Sequence, residues 1–134
     1  MHHALPLRVL QPDSSASDAV EAFLSASALT PELALLVAQT FQALADPTRA
    51  RIMYALTKGE HNVGDLTRIA GISPSATSHQ LKHLRDLRIV KFRREGMRIY
   101  YSVDDTHVAA LLREVLHHLA HVVYGLPDHP DEGP

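Results

Sequence analysis

The sequence predicts a mainly α-helical domain carrying a single β-hairpin, and three observations carry that reading. Asn62 and the pair Ser73-Pro74 are helix-start signals that bracket a short helix, a turn at Gly71 and a second helix. Directly afterwards, two β-branched and aromatic runs flank Glu95-Gly96-Met97, a hairpin signal. A last periodic stretch, Asp104 to His121, meets neither Gly nor Pro until Gly125 and reads as one long helix. Two helices joined by a turn of about four residues and followed by a basic hairpin describe a winged helix-turn-helix.

Taken in order, residues 1–17 contain Pro6, Pro12 and three serines and are expected to form a flexible arm. A short helix begins near Asp18 and runs to Leu24. Thr30-Pro31-Glu32 supplies a capping hydroxyl, a first-turn proline and an acid, so a helix runs to about Leu44. It would bury Leu33, Leu36, Val37, Phe41 and Leu44. Asp46-Pro47 starts the next helix, which ends at Lys58-Gly59. A helix from Val63 to Ala70 and another from Pro74 to about Leu87 form the helix-turn-helix. The strands are Ile89–Arg94 and Arg98–Val103. The folded domain spans 18–125, and the Pro-, Asp- and Gly-rich residues 126–134 form a flexible tail.

Composition excludes several functions. With no cysteine, disulfides, thiolate metal sites and thiol redox sensing are out, so any transition-metal site must use His, Asp and Glu. No apolar run has the length of a membrane span, and the N-terminus lacks a secretory signal, which favours the cytoplasm. Net charge is −2, but it is unevenly placed. Residues 74–103 hold seven Lys/Arg against two acids, so they carry +5 and the remainder −7. A basic patch on an acidic body is the footprint of a nucleic-acid binder.

The helix after Ser73 has an apolar side at Ala76, Leu81, Leu84 and Leu87. Ser75, Thr77, Ser78, His79, Gln80, Lys82 and Arg85 belong to its other side. Short hydroxyl and amide groups reach base edges, whereas cations hold phosphates. Ser75, Ser78, His79 and Gln80 are the expected base readers; Lys82 and the wing residues Arg93, Arg94 and Arg98 are the expected phosphate contacts. An ordinary amphipathic surface helix would show the same pattern.

The last helix places an apolar stripe at Val108, Leu111, Leu112, Val115, Leu119 and Val122. Asp105 and His107 sit at its start, His118 and His121 near its end. Positions 107 and 118 share a face to within about 20° but lie about 16 Å apart along the axis. Bonds of about 2 Å to a zinc ion cannot close both pairs around one metal. Two antiparallel copies can, giving two equivalent sites per two-fold dimer. Merely solvated histidines would also account for these positions.

Ala45-Asp46-Pro47-Thr48-Arg49, Ser78-His79-Gln80-Leu81-Lys82-His83-Leu84 and Tyr100-Tyr101-Ser102-Val103-Asp104-Asp105 closely resemble the ArsR/SmtB family of bacterial metal-sensing repressors. The resemblance covers about residues 30–124. It implies a homodimer through the first and last helices, an apo form that binds double-stranded operator DNA, and release on metal binding. Asp105, His107, His118 and His121 match the family's Asp-x-His-x10-His-x2-His/Glu pattern for Zn2+, with Co2+ or Ni2+ as alternatives. Other branches carry cysteines where Glu60-His61-Asn62-Val63-Gly64-Asp65 stands, so the resemblance does not extend to thiolate sensing. His2, His3, His61 and His117 are further potential ligands. A winged-helix binder without an effector is the competing reading. A zinc hydrolase is disfavoured because four protein ligands leave no open position for water, so no enzymatic activity is expected.

Overall fold

The computed structural model describes residues 16–25 and 28–127. Most of the expected arm, with His2 and His3, and the tail from 128 onward lie outside the described residues. The chain divides into two units, one ending at Ala43 and the other beginning at Leu44.

The first unit holds α1 (Ala16–Leu24) and, except for its last residue, α2 (Pro31–Leu44). The Leu33 N–H donates to Thr30 Oγ1 at 3.1 Å, so the threonine caps α2 as expected. Its apolar face is less buried than its periodicity suggests. Leu33, Leu36 and Leu44 are half-buried, while Val37 and Phe41 are exposed, Phe41 at 53%. Periodicity marks which face is apolar; it does not say that the same chain covers it.

The second unit contains α3 (Pro47–Thr57), β1 (His61–Asn62), α4 (Val63–Ala70), α5 (Pro74–Asp86), β2 (Val90–Glu95), β3 (Arg98–Val103) and α6 (Thr106–Val122). Local capping chemistry sets its helix starts. Asp46 accepts from the Arg49 N–H, Asn62 from that of Asp65, and Ser73 from that of Ala76. Gly71 ends α4 in the left-handed conformation at φ 70°, where a side chain would be strained. Gly71, Ile72 and Ser73 thus form the turn of the helix-turn-helix. Leu81 and Leu84 of α5 are fully buried with Leu66 of α4 and Ile52 and Met53 of α3.

The hairpin pairs Val90 with Val103 and Glu95 with Arg98, closing at Gly96. The short β1 was not expected. It pairs His61 with Tyr101 and Asn62 with Tyr100, giving a three-stranded antiparallel sheet in the order β1-β3-β2. Two residues have no readable period, and Asn62 already carries a capping signal.

The long helix forms where expected, but its stripe is only partly covered. Ala109 and Leu112 are buried against a unit whose α3 packs on α6, and Val108 and Leu111 are half-buried. Val115, Leu119 and Val122 are exposed, Val122 at 61%. The carboxyl half of α6 therefore keeps an apolar surface that residues 44–127 do not bury.

Candidate nucleic-acid interface and metal ligands

On α5 the expected base readers Ser75, Ser78 and His79 are exposed, as is the cation Lys82. Lys82 Nζ lies 3.1 Å from Asp86 Oδ2, an exposed pair that solvent weakens. Gln80 is half-buried, and its Oε1 accepts a hydrogen bond from Arg49 Nη1 at 2.9 Å. Arginine only donates, so this contact fixes which end of the amide is oxygen and turns the NH2 away from Arg49. In the sequence Arg49 stands out only as the end of the family-like run Ala45-Asp46-Pro47-Thr48-Arg49; its partner lies 31 positions away.

Thr77 corrects the expected set. It is fully buried, with its hydroxyl donating to the Ser73 carbonyl at 2.9 Å and meeting Thr67 Oγ1 at 3.0 Å. It joins the two helices of the motif and presents nothing to a duplex. Spacing held the signal: Thr77 stands four residues before Leu81, on the buried face of α5.

In the wing, alternation separates the arginines. Arg94 shares a face with Phe92, and Arg93 shares the opposite one with Glu95. Arg94 and Arg98 are exposed near the tip. Arg93 is engaged: Nε and Nη2 donate to Glu60 at 2.8 and 2.7 Å, and Nη1 donates to Glu95 at 2.5 Å. Its guanidinium carbon sits 4.7 Å from the Tyr100 ring centre. Hydrogen bonding from Arg93 holds the Glu60 carboxyl below its ordinary range, opposed in part by desolvation. The Glu60 hydrogen bonds, then those of Glu95, raise Arg93 above the ordinary arginine value.

A carboxyl lowered in the folded state favours folding above its unfolded pKa and loses that contribution as pH falls through the lowered value. In an NMR titration of the side-chain carboxyl carbons, Glu60 is therefore expected to titrate below the ordinary glutamate value. Arg93→Gln should return it to that value; an unshifted Glu60 in the wild-type protein would contradict the pairing.

The four candidate metal ligands are all exposed on or beside α6. Asp105 caps the helix, with Oδ1 accepting from the His107 N–H at 2.8 Å, so its other carboxylate oxygen is not required for the cap. His121 Nδ1 lies 3.2 Å from the Leu126 carbonyl oxygen. A carbonyl only accepts, so in this contact Nδ1 is the donor, and Nε2 of the neutral ring is the nitrogen that could meet a metal. Among the described residues of one protomer, no group of three or more potential ligands comes together. The two donor pairs stand at opposite ends of the helix, as its geometry requires. Imidazole and carboxylate donors suit zinc and its neighbours in the first transition row.

Buried helix-turn-helix, exposed polar recognition face and basic hairpin define a winged-helix DNA-binding regulator. A family model described as a bacterial regulatory protein of the arsR family matches residues 46–91. The chain is 46% identical over 106 residues to the HTH-type transcriptional regulator NmtR of Mycobacterium tuberculosis, covering 78% of this chain and 88% of that one. It is 52% identical over 83 residues to the transcriptional repressor SmtB homolog of Synechocystis, covering 62% of this chain and 63% of that one. A solved structure of the homodimeric winged helix-turn-helix domain of Mb0332 from Mycobacterium bovis matches with a TM-score of 0.66 at 29% identity. That match covers 78% of this chain and 98% of the other. The chain belongs to the ArsR/SmtB family of metal-sensing transcriptional repressors and is not an enzyme. No helix among the described residues is long and apolar enough to cross a membrane.

Proposed function

We propose that this protein is a homodimeric, metal-responsive transcriptional repressor whose apo form binds operator DNA and whose zinc-loaded form lets it go. In the dimer two recognition helices enter successive major grooves about 34–36 Å apart on a pseudo-palindromic operator. Ser75, Ser78, His79 and Gln80 read bases, and Lys82, Arg94 and Arg98 hold phosphates. Asp105 and His107 of one protomer, with His118 and His121 of its partner, hold the ion, and each dimer has two such sites. Held by these four side chains, zinc would cross-link the two last helices, and four protein ligands would leave no position for a hydrolytic water.

The observation that carries this reading is the pair of exposed donor sets at the two ends of α6, which no single protomer can bring to one metal. The exposed Val115, Leu119 and Val122 supply an apolar seam for the same helix of a second copy. The test is a zinc titration of the operator complex at fixed salt, since phosphate contacts make affinity salt-dependent. Cobalt and nickel run in parallel rank the metals, and the cobalt spectrum reports coordination number. Equal operator affinity with and without metal would leave a winged-helix binder lacking an effector.

Coupling runs through His118 in this proposal. With one ring nitrogen on the metal, the other donates to a backbone carbonyl near Arg88, at the end of the recognition helix. His118→Gln is expected to reduce zinc-driven release more than it changes apo operator affinity. Equal loss of both would remove His118 from the coupling route.

A further inference from the structure

Arg93 lies in the basic wing, yet its surroundings differ from those of a phosphate ligand. Two of its donors form a planar fork on Glu60, a third reaches Glu95, and Tyr100 covers one face of the guanidinium. An incoming phosphate would have to displace carboxylates that themselves repel it. With both acids ionised, Arg93, Glu60 and Glu95 together carry net negative charge.

The same fork joins distant parts of the chain. Glu60 directly precedes β1, whose Asn62 caps α4, the first helix of the helix-turn-helix. Arg93 is in the middle of β2, 33 residues on. Its neighbour Phe92 points to the other face of the sheet, where Arg85 of α5 lies 4.9 Å from its ring centre and Tyr101 packs at 5.9 Å. Adjacent residues of one strand are thus tied on opposite faces, one to the recognition helix and one to the root of its partner helix.

We propose that Arg93 is a positioning residue that, through Glu60, pins the wing to the start of the helix-turn-helix, while the neighbouring Arg94 and Arg98 meet the phosphates. This rests on the DNA-binding reading above and deepens it by separating wing residues that set the hairpin's place from those that touch the duplex.

The sign of the Glu60 effect tests it. If Arg93 were a phosphate ligand, Glu60→Gln would free a cation, remove an acid beside the DNA and tighten binding. Under the positioning role, Glu60→Gln and Arg93→Gln each weaken apo operator binding by about fivefold, the scale of one exposed ion-pair contact. Neither changes the slope of log affinity against log salt, whereas Arg94→Gln lowers its magnitude by about 0.9. Amide exchange of β2 and β3, measured on the free protein, should quicken in both Glu60→Gln and Arg93→Gln.

Tighter or unchanged binding by Glu60→Gln, or a fall in slope for Arg93→Gln matching that of Arg94→Gln, overturns the assignment. If the wild-type protein binds no duplex at all, the DNA-binding reading itself fails. Wing exchange on the free protein still decides the pinning in that case: unchanged rates in both variants refute it.

Discussion

Mixing two variants that each bind no zinc at the α6 donors is expected to restore one site per dimer. The first variant, Asp105→Asn with His107→Ala, loses the donors at the start of α6; asparagine is chosen because it still caps a helix. The second, His118→Ala with His121→Ala, loses those near its end. Each homodimer then has two half-sites with no complementary pair. In a mixed dimer the first variant's intact His118 and His121 face the second's intact Asp105 and His107. One complete set re-forms, and the other is empty of ligands on both sides. Zinc stoichiometry by equilibrium dialysis should read none, none and one, against two for the wild-type dimer. Operator release should return with it, at part of the about 5- to 150-fold change usual for coupled sites. A site built within one protomer would gain nothing from mixing, so the absence of restored zinc in verified mixed dimers would refute the intersubunit arrangement.

Leu81→Ala is expected to be, with Leu84→Ala, among the most damaging single truncations in the recognition helix. Leu81 is fully buried, and its loss should cost about 2–5 kcal/mol, combining lost transfer energy with a residual cavity. That is a large share of the about 5–15 kcal/mol that holds a typical domain together. Urea unfolding at fixed protein concentration should show the midpoint falling sharply. Leu119→Ala provides the contrast, because Leu119 is 41% exposed in the protomer. It should barely change the folding of the protomer and instead raise the dimer dissociation constant in sedimentation experiments. An unfolding loss for Leu119→Ala that stays the same at every protein concentration would mean that α6 is buried within its own chain.

Much of this fold was legible because its punctuation is local. Asp46-Pro47, Asn62 and Ser73-Pro74 each satisfy an amide three residues on, so the information for the helix start sits within one turn. The expected hairpin likewise follows from two adjacent runs and a glycine. By contrast, β1 exists only because Tyr100 and Tyr101 offer an edge about 40 residues later. Thr77 was misplaced for another reason: its polarity suggested an outward side, whereas its spacing from Leu81 and Leu84 placed it inward. Its hydroxyl is tolerated there because Ser73 and Thr67 satisfy it.

The candidate site divides in the same way. That Asp105 and His107 cannot share a metal with His118 and His121 of the same helix follows from rise per residue alone. Which guanidinium meets a carboxylate does not, because a guanidinium's partners are chosen in three dimensions. Sequence proximity groups Arg93 with Arg94, but strand alternation sends them to opposite faces, and Glu60 lies beside only Arg93. The order of residues by itself determined the helices, their caps, the wing and the two separated donor pairs, since these depend on interactions a few residues apart. Only the tertiary structure decided that Arg93 is paired, that Arg49 orients Gln80 and that the carboxyl half of α6 stays uncovered. Those outcomes depend on contacts between elements brought together by folding, for which neighbouring residues carry no code.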